Sequence, residues 1–324
     1  MSKLITYRLL AAGLMFALIG CGGLTGTNMQ SNSVLPEPGI AQARAAARRD
    51  LCSNFDVNYS RDGIAGKALF VSETGANSVN IYDLKNLQLV RSVTNGVSLP
   101  LGVAFDNNGV LYVVNQPEGG SNTVTEYAPG AKTPEQTLTV GETAAIGVVV
   151  DSSGTVYVDN DYPAEMIEFA AGSQTPTKTF SLPLAAPWGL AIDKNNNVYV
   201  TDLAGAIWEF AAGSTTGTNL GLQEASEPNG VAVDGKGNLY VTNYAGSEAE
   251  VLVYRRGHTS PVCTITQGVS NPALLATTAS GTLYVANDTP PASVTSYKPG
   301  ETTPQWTLTQ DMNQPFGVAL GPGR

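Results

Sequence analysis

From residue 67 onward the chain repeats one short pattern of apolar and polar positions. Pro100-Leu-Gly-Val-Ala-Phe-Asp-Asn-Asn-Gly-Val-Leu-Tyr-Val-Val-Asn115 is one copy, and Pro187 to Asp202 and Pro228 to Asn243 repeat it. Weaker copies begin at Ala145-Ile-Gly147 and Pro272-Ala-Leu274, and a half-copy, Pro315-Phe-Gly-Val-Ala-Leu320, closes the chain. Two aromatic series fix the register. One is Phe70, Tyr112, Tyr157, Tyr199, Tyr240 and Tyr284; the other is Tyr82, Tyr127, Phe169, Phe210, Tyr254 and Tyr297, and all steps are 41–45 residues. Each unit predicts four short strands. Strand A (Gly-Val-Ala-Val) and strand B (Leu-Tyr-Val) are apolar at consecutive positions, as in sheets covered on both faces. An Asp-Asn-Asn-Gly type of turn joins them, the kind tight hairpins need. Strand C resembles Ile207-Trp-Glu-Phe210, and strand D is the Thr-rich run, as in Thr133 to Leu138 or Thr303 to Leu308.

Four-stranded sheets at this period, packed face to face, predict an all-β propeller, and six aromatics in each series predict six blades. The first copy, Lys67 to Glu73, begins at strand B, and the orphan strand at 316–320 is the missing strand A. The C-terminal strand is therefore expected to join the first blade and seal the ring, with Val318 beside Phe70, removing two free sheet edges. The Pro-x-Gly-Val-Ala-Val-Asp-x-x-Gly-x-Leu-Tyr-Val-x-Asn/Asp pattern resembles the NHL repeat over residues 67–324. That family hosts binding modules, receptor domains and enzymes, so the resemblance implies a fold and not one function.

The N-terminus reads as an address. Lys3 and Arg8 precede an apolar run over Leu9–Ile19, too short for a comfortable membrane span. The run ends in Leu18-Ile19-Gly20-Cys21, which resembles the bacterial lipobox. The resemblance implies a signal peptide at 1–20, lipidation of Cys21 and stable anchoring by several acyl chains. Gly22 after the Cys implies sorting to the outer membrane, with the domain facing periplasm or exterior. Residues 21–60 are expected to form the lipidated Cys and a flexible tether, and 61–324 the propeller. Cys52 and Cys263 remain as an exported pair that forms a disulfide or stays as two thiols.

Charge narrows the partners. Removing residues 1–20 takes away two cations and no acid, so the formal charge moves from −10 to −12. An acidic body without a basic cluster argues against nucleic acid, and against membrane contact other than through the lipid. One histidine, His258, excludes multi-His metal sites and His-based triads unless it serves alone.

Strand direction places the B–C loops and D–A connections on one face, called upper below. An inner ring there is Leu101, Ala145, Trp188, Asn229, Ala273 and Phe316. A second, polar ring follows strand B: Glu73, Asn115, Asp159, Asp202, Asn243 and Asn287. The expected binding site is a polar rim around an apolar floor: Trp188, Asn229 and Phe316, with Asn115, Asp159, Asp161, Asp202, Asn243 and Asn287. The same polar residues also suit capping of B–C turns. Asp106, Asp151, Asp193 and Asp234, on the opposite face, read as turn residues. Asp159, Asp161 and Glu165 have an oxygen spacing suited to Ca²⁺ but lack a full loop, so no cofactor is expected.

Two enzyme families share this architecture by resemblance. Regucalcin-like gluconolactonases hold a metal with residues at the strand A starts, where only Asn229 is polar here. Streptogramin lyases are similar in repeat pattern but rely on histidine, and His258 lies in a C–D turn on the lower face. The sequence therefore favours a monomeric, envelope-anchored binding module for a protein, peptide or cell-wall glycan. The alternative is a metal- or carboxylate-dependent hydrolase or lyase.

Overall fold

The computed structural model describes residues 67–323 apart from Thr143, Gly246 and Ser247, so the calls on residues 1–66, including Cys21 and Cys52, fall outside the described residues. The described chain is all-β, six four-stranded antiparallel sheets. Blade one is β1 (Lys67–Glu73), β2 (Ser78–Asp83) and β3 (Leu89–Val93), completed by the last strand of the chain. Blade two is β4 (Pro100–Phe105), β5 (Leu111–Asn115), β6 (Asn122–Tyr127) and β7 (Gln136–Gly141). Blade three is β8 (Ala145–Val150), β9 (Val156–Asn160), β10 (Glu165–Phe169) and β11 (Lys178–Ser181). Blade four is β12 (Pro187–Ile192), β13 (Val198–Asp202), β14 (Ala206–Phe210) and β15 (Gly217–Asn219). Blade five is β16 (Pro228–Val233), β17 (Leu239–Ala245), β18 (Glu248–Tyr254) and β19 (Cys263–Ile265). Blade six is β20 (Pro272–Thr277), β21 (Leu283–Asn287), β22 (Ser293–Tyr297) and β23 (Trp306–Leu308), after which β24 (Pro315–Pro322) returns to blade one.

The sheet order β24-β1-β2-β3 seals the ring as expected. The register differs by one residue from the sequence expectation: Val318 lies opposite Val71, and Phe70 opposite Ala319. The inner strands neighbour one another in the order β24, β4, β8, β12, β16, β20 and back to β24. The Thr-Pro segments expected at the head of strand D belong instead to the C–D turns, because Pro134 and Pro304 have no N–H to give a ladder.

Cores form between blades. One unites Phe70, Val79 and Ile81 of blade one with Val103, Leu111, Val113 and Tyr127 of blade two. Inner and second strands are buried on both faces, whereas β3 and β11 alternate. This explains the unbroken apolar runs in strands A and B and the Thr-rich alternation in D. The repeated Gly of Pro-x-Gly has a packing cause. A Cβ on Gly102 would stand 2.5 Å from the Ile146 carbonyl, and one on Gly189 would stand 2.7 Å from that of Asn229. Only glycine lets neighbouring inner strands approach this closely. Cys263, on the outer strand of blade five, is disulfide-bonded.

Candidate functional site

The upper face is built in two concentric rings. In the outer ring, a residue at the end of each strand B, the last one except in blade five where it is the third from the end, faces the first of its own strand A. The pairs are Glu73–Pro315, Asn115–Pro100, Asn160–Ala145, Asp202–Pro187, Asn243–Pro228 and Asn287–Pro272. Asn160 thus holds the place that the sequence reading gives to Asp159. Two adjacent polar residues end this strand B, and the pattern alone picked the wrong one.

Each ring member accepts backbone N–H groups from the connection entering its blade. Asn115 Oδ1 takes Ser98 N at 2.9 Å, Asn160 Oδ1 takes Ala144 N at 2.7 Å, and Asn287 Oδ1 takes Ser270 N at 2.9 Å. Asp202 takes Ala185 and Ala186, Asn243 takes Ser226 and Glu227, and Glu73 Oε2 takes Asn313 at 2.6 Å. All six are 0–5% exposed. The expectation of an open polar rim is corrected here: Asn115, Asp202, Asn243 and Asn287 are internal latches, because unpaired N–H groups in the crossing connections need acceptors.

The floor is closed as well. Trp188 of blade four and Phe316 of blade one are 5% and 2% exposed, and their ring centroids lie 6.5 Å apart at 51°. They come from opposite sides of the six-membered ring and meet across its axis. Asn229 is turned aside, its Nδ2 donating to the Pro272 carbonyl at 2.6 Å. Leu274, where other copies have glycine, reaches toward blade four; a Cβ on Gly189 would lie 3.2 Å from its Cδ2.

One residue earlier on strand B lies a deeper ring that sequence reasoning missed: Ser72, Val114, Asp159, Thr201, Thr242 and Ala286. Ser72 Oγ donates to the Leu101 carbonyl, Thr201 Oγ1 to Asn229 and Thr242 Oγ1 to Ala273, each across a blade boundary. The signal was a hydroxyl before the terminal Asn, Asp or Glu of strand B in three of six copies.

The acids of this face have displaced proton affinities. Burial pushes Glu73 up to about 8 against the Asn313 N–H, with Asp288 and Asp311 adding to the rise. Burial pushes Asp159 up to about 7, opposed by the Gly147 and Ile146 N–H groups and reinforced by Asp161. Asp161, half-buried, rises to about 6 through burial and the charge of Asp202. Among the described residues no three His, Cys, Asp or Glu side chains converge as a metal-holding group.

What the upper face presents to solvent is its loops. No B–C or D–A connection contains Lys, Arg or His, while Glu118, Glu142, Asp161, Asp288 and Asp311 lie in them. The cations Lys85, Lys132, Lys194, Lys236, Arg255, Arg256 and Lys298 all lie in turns of the opposite face, as does the exposed His258. Tyr162, in the B–C loop of blade three, is 80% exposed. The sequence points to Asp161 and Glu165 of this segment and not to the tyrosine between them.

No family model and no curated protein matches the sequence. Solved structures do match the fold. A chain in the crystal structure of a nidogen/laminin complex is 16% identical at a TM-score of 0.61, covering 80% of this chain and 100% of its own. A protein of unknown function from Bacteroides caccae is 13% identical at 0.58, covering 79% of this chain and 99% of its own. These likenesses speak to fold alone, and the fold is a six-bladed β-propeller.

Proposed function

We propose that the chain is an exported lipoprotein, acylated at Cys21, whose NHL-like propeller presents its upper loops as a binding surface for a protein, a peptide or a cell-wall glycan. The observation that carries the binding reading is the sorting of charge among the described residues: one face has acids, no cation and an exposed Tyr162 in its loops, and every described loop cation is on the other. An aromatic side chain on an acidic field suits a partner that brings Lys or Arg, with Tyr162 as the apolar anchor. The lipobox-like tetrapeptide supports the anchoring.

Metabolic labelling with an alkyne fatty acid tests the anchor; label lost in Cys21→Ser is the expected result. Crosslinked capture in intact cells tests the face. Tyr162→Ala is expected to reduce capture at least fivefold and Lys236→Ala to leave it unchanged. Equal capture by both variants contradicts the assignment. A second reading rests on the displaced acidity of Asp161 beside Asp202, which suits a carboxylate-dependent hydrolase or lyase. Turnover of lactones or esters, abolished in Asp161→Asn, would replace the first reading.

A further inference from the structure

The deeper ring assigns an unusual state to one residue. In blades one and five a hydroxyl at this position does two things. Ser72 Oγ accepts the Gly317 N–H at 2.7 Å and donates to the Leu101 carbonyl of the next blade at 2.5 Å. Thr242 Oγ1 accepts the Gly230 N–H at 2.7 Å and donates to the Ala273 carbonyl at 2.7 Å. In blade four Thr201 makes the same donation to Asn229 at 2.9 Å. Blade three carries Asp159 there, fully buried. Its Oδ1 takes the acceptor role, receiving Gly147 N at 2.5 Å and Ile146 N at 3.3 Å. Its Oδ2 is buried with no partner that donates to it. The acceptor that the repeat places opposite such a donor in blade three is the Trp188 carbonyl.

We propose that Asp159 is held as a neutral carboxylic acid whose Oδ2–H is donated to the Trp188 carbonyl, locking blade three to blade four only while it is protonated. An ionised oxygen at that place would face a carbonyl with no donor, at a large desolvation penalty. The ionisable groups around it are Asp161 on the following loop, Glu165 on β10 and, beyond Asp161, Asp202 at the end of β13. All are acids; the charge of Asp161 opposes ionisation of Asp159, and that of Asp202 acts on Asp161. The seam lies beneath Trp188, which with Phe316 closes the axis, so loss of this proton weakens the support of the plug. The lock is complete at acidic pH and fails as pH rises through 7.

The sign follows from linkage. The folded form holds this proton to about 7, while an unfolded aspartate releases it near 4. Stability is therefore full below about pH 4 and falls with rising pH, by about tenfold in the folding constant per unit, until about pH 7. Asp159→Asn keeps the acceptor and replaces the acid O–H with an amide donor that does not titrate. Asp159→Thr installs the hydroxyl of blades four and five. Denaturant unfolding from pH 4.5 to 9 is expected to show a slope in wild type that is shallower in both variants by about tenfold in the folding constant per unit up to about pH 7, the part owed to Glu73 and Asp161 remaining. Parallel profiles in wild type and Asp159→Asn would overturn the proposal. In ¹³C-aspartate-labelled wild type, which needs no variant to fold, a carboxyl titrating near 7 supports it. All aspartates titrating below 5 would overturn it.

Discussion

The two faces of the propeller use carboxyl groups in opposite ways. On the lower face Asp106, Asp151, Asp193 and Asp234 each gather the N–H groups two and four residues ahead within one turn. Burial alone would raise Asp151, but the Ser153 hydroxyl and the Thr155 and Ser153 N–H groups outweigh it, and its proton affinity is lowered. On the upper face Glu73 and Asp159 are buried with one oxygen each lacking a donor, and their proton affinities rise. The same chemical group is a turn-former where donors converge on it and a neutral filler where they do not. The bonds also differ in reach. Lower ones mostly close a local turn, whereas those of Ser72, Thr201, Thr242 and Asn229 tie one blade to the next.

That difference in reach predicts a ranking of damage. Gly317→Val should be the most severe, because its Cβ would run into the Leu101 carbonyl at the boundary of blades one and two. A loss of about 3 kcal/mol or more is expected in denaturant unfolding, since two backbones would have to part. Thr242→Val should follow at about 2 kcal/mol, from a buried Gly230 N–H left without its acceptor and a carbonyl without its donor. Asp106→Ala, in a part-exposed turn, should cost about 1 kcal/mol. If Asp106→Ala proved costlier than Thr242→Val, the contrast between local and inter-blade bonding would fail.

Most of the fold was legible in the chain, for reasons visible in particular residues. The glycines of Pro-x-Gly recur because inner strands touch, and the aspartates of Asp-x-x-Gly recur because each turn has the same donors. The deficit at Lys67 and the surplus at Pro315 gave the closure, since an unpaired edge has to be covered. The site was less legible. Periodicity locates a residue in its repeat but not in its neighbour's: it placed Trp188 and Phe316 in one apolar floor, whereas the bond from Thr201 to Asn229 left no local trace. Asn115 and Asn243 have the composition of a rim, and only the path of the crossing connections decides that they are covered. Blade three lacks the initial Pro and has two polar residues at the end of its strand B, which is why Asn160 and Asp159 exchanged roles.

The pH response of Glu73 separates the two faces by a different route. Its folded carboxyl sits at about 8 against an ordinary 4.5, so it contributes stability below about pH 4.5 that is lost as pH rises toward 8. Asp151, lowered, works the other way: its contribution is present above the ordinary 3.8 and is lost as pH falls. Glu73→Gln should flatten the alkaline side of the stability profile and leave the acid side alone. Asp151→Asn should do the reverse. A common effect of both variants on the same limb would erase the distinction between the faces.

The upper and lower faces of the ring depend on the final strand of the chain lying inside blade one. Amide hydrogen exchange measures this without altering a residue. The amides of β24 from Phe316 to Leu320 are expected to be protected as strongly as those of the inner strand β12, both opening only with global unfolding. Exchange of that segment at the rate of a free tail, while β12 stays protected, would contradict the closed ring.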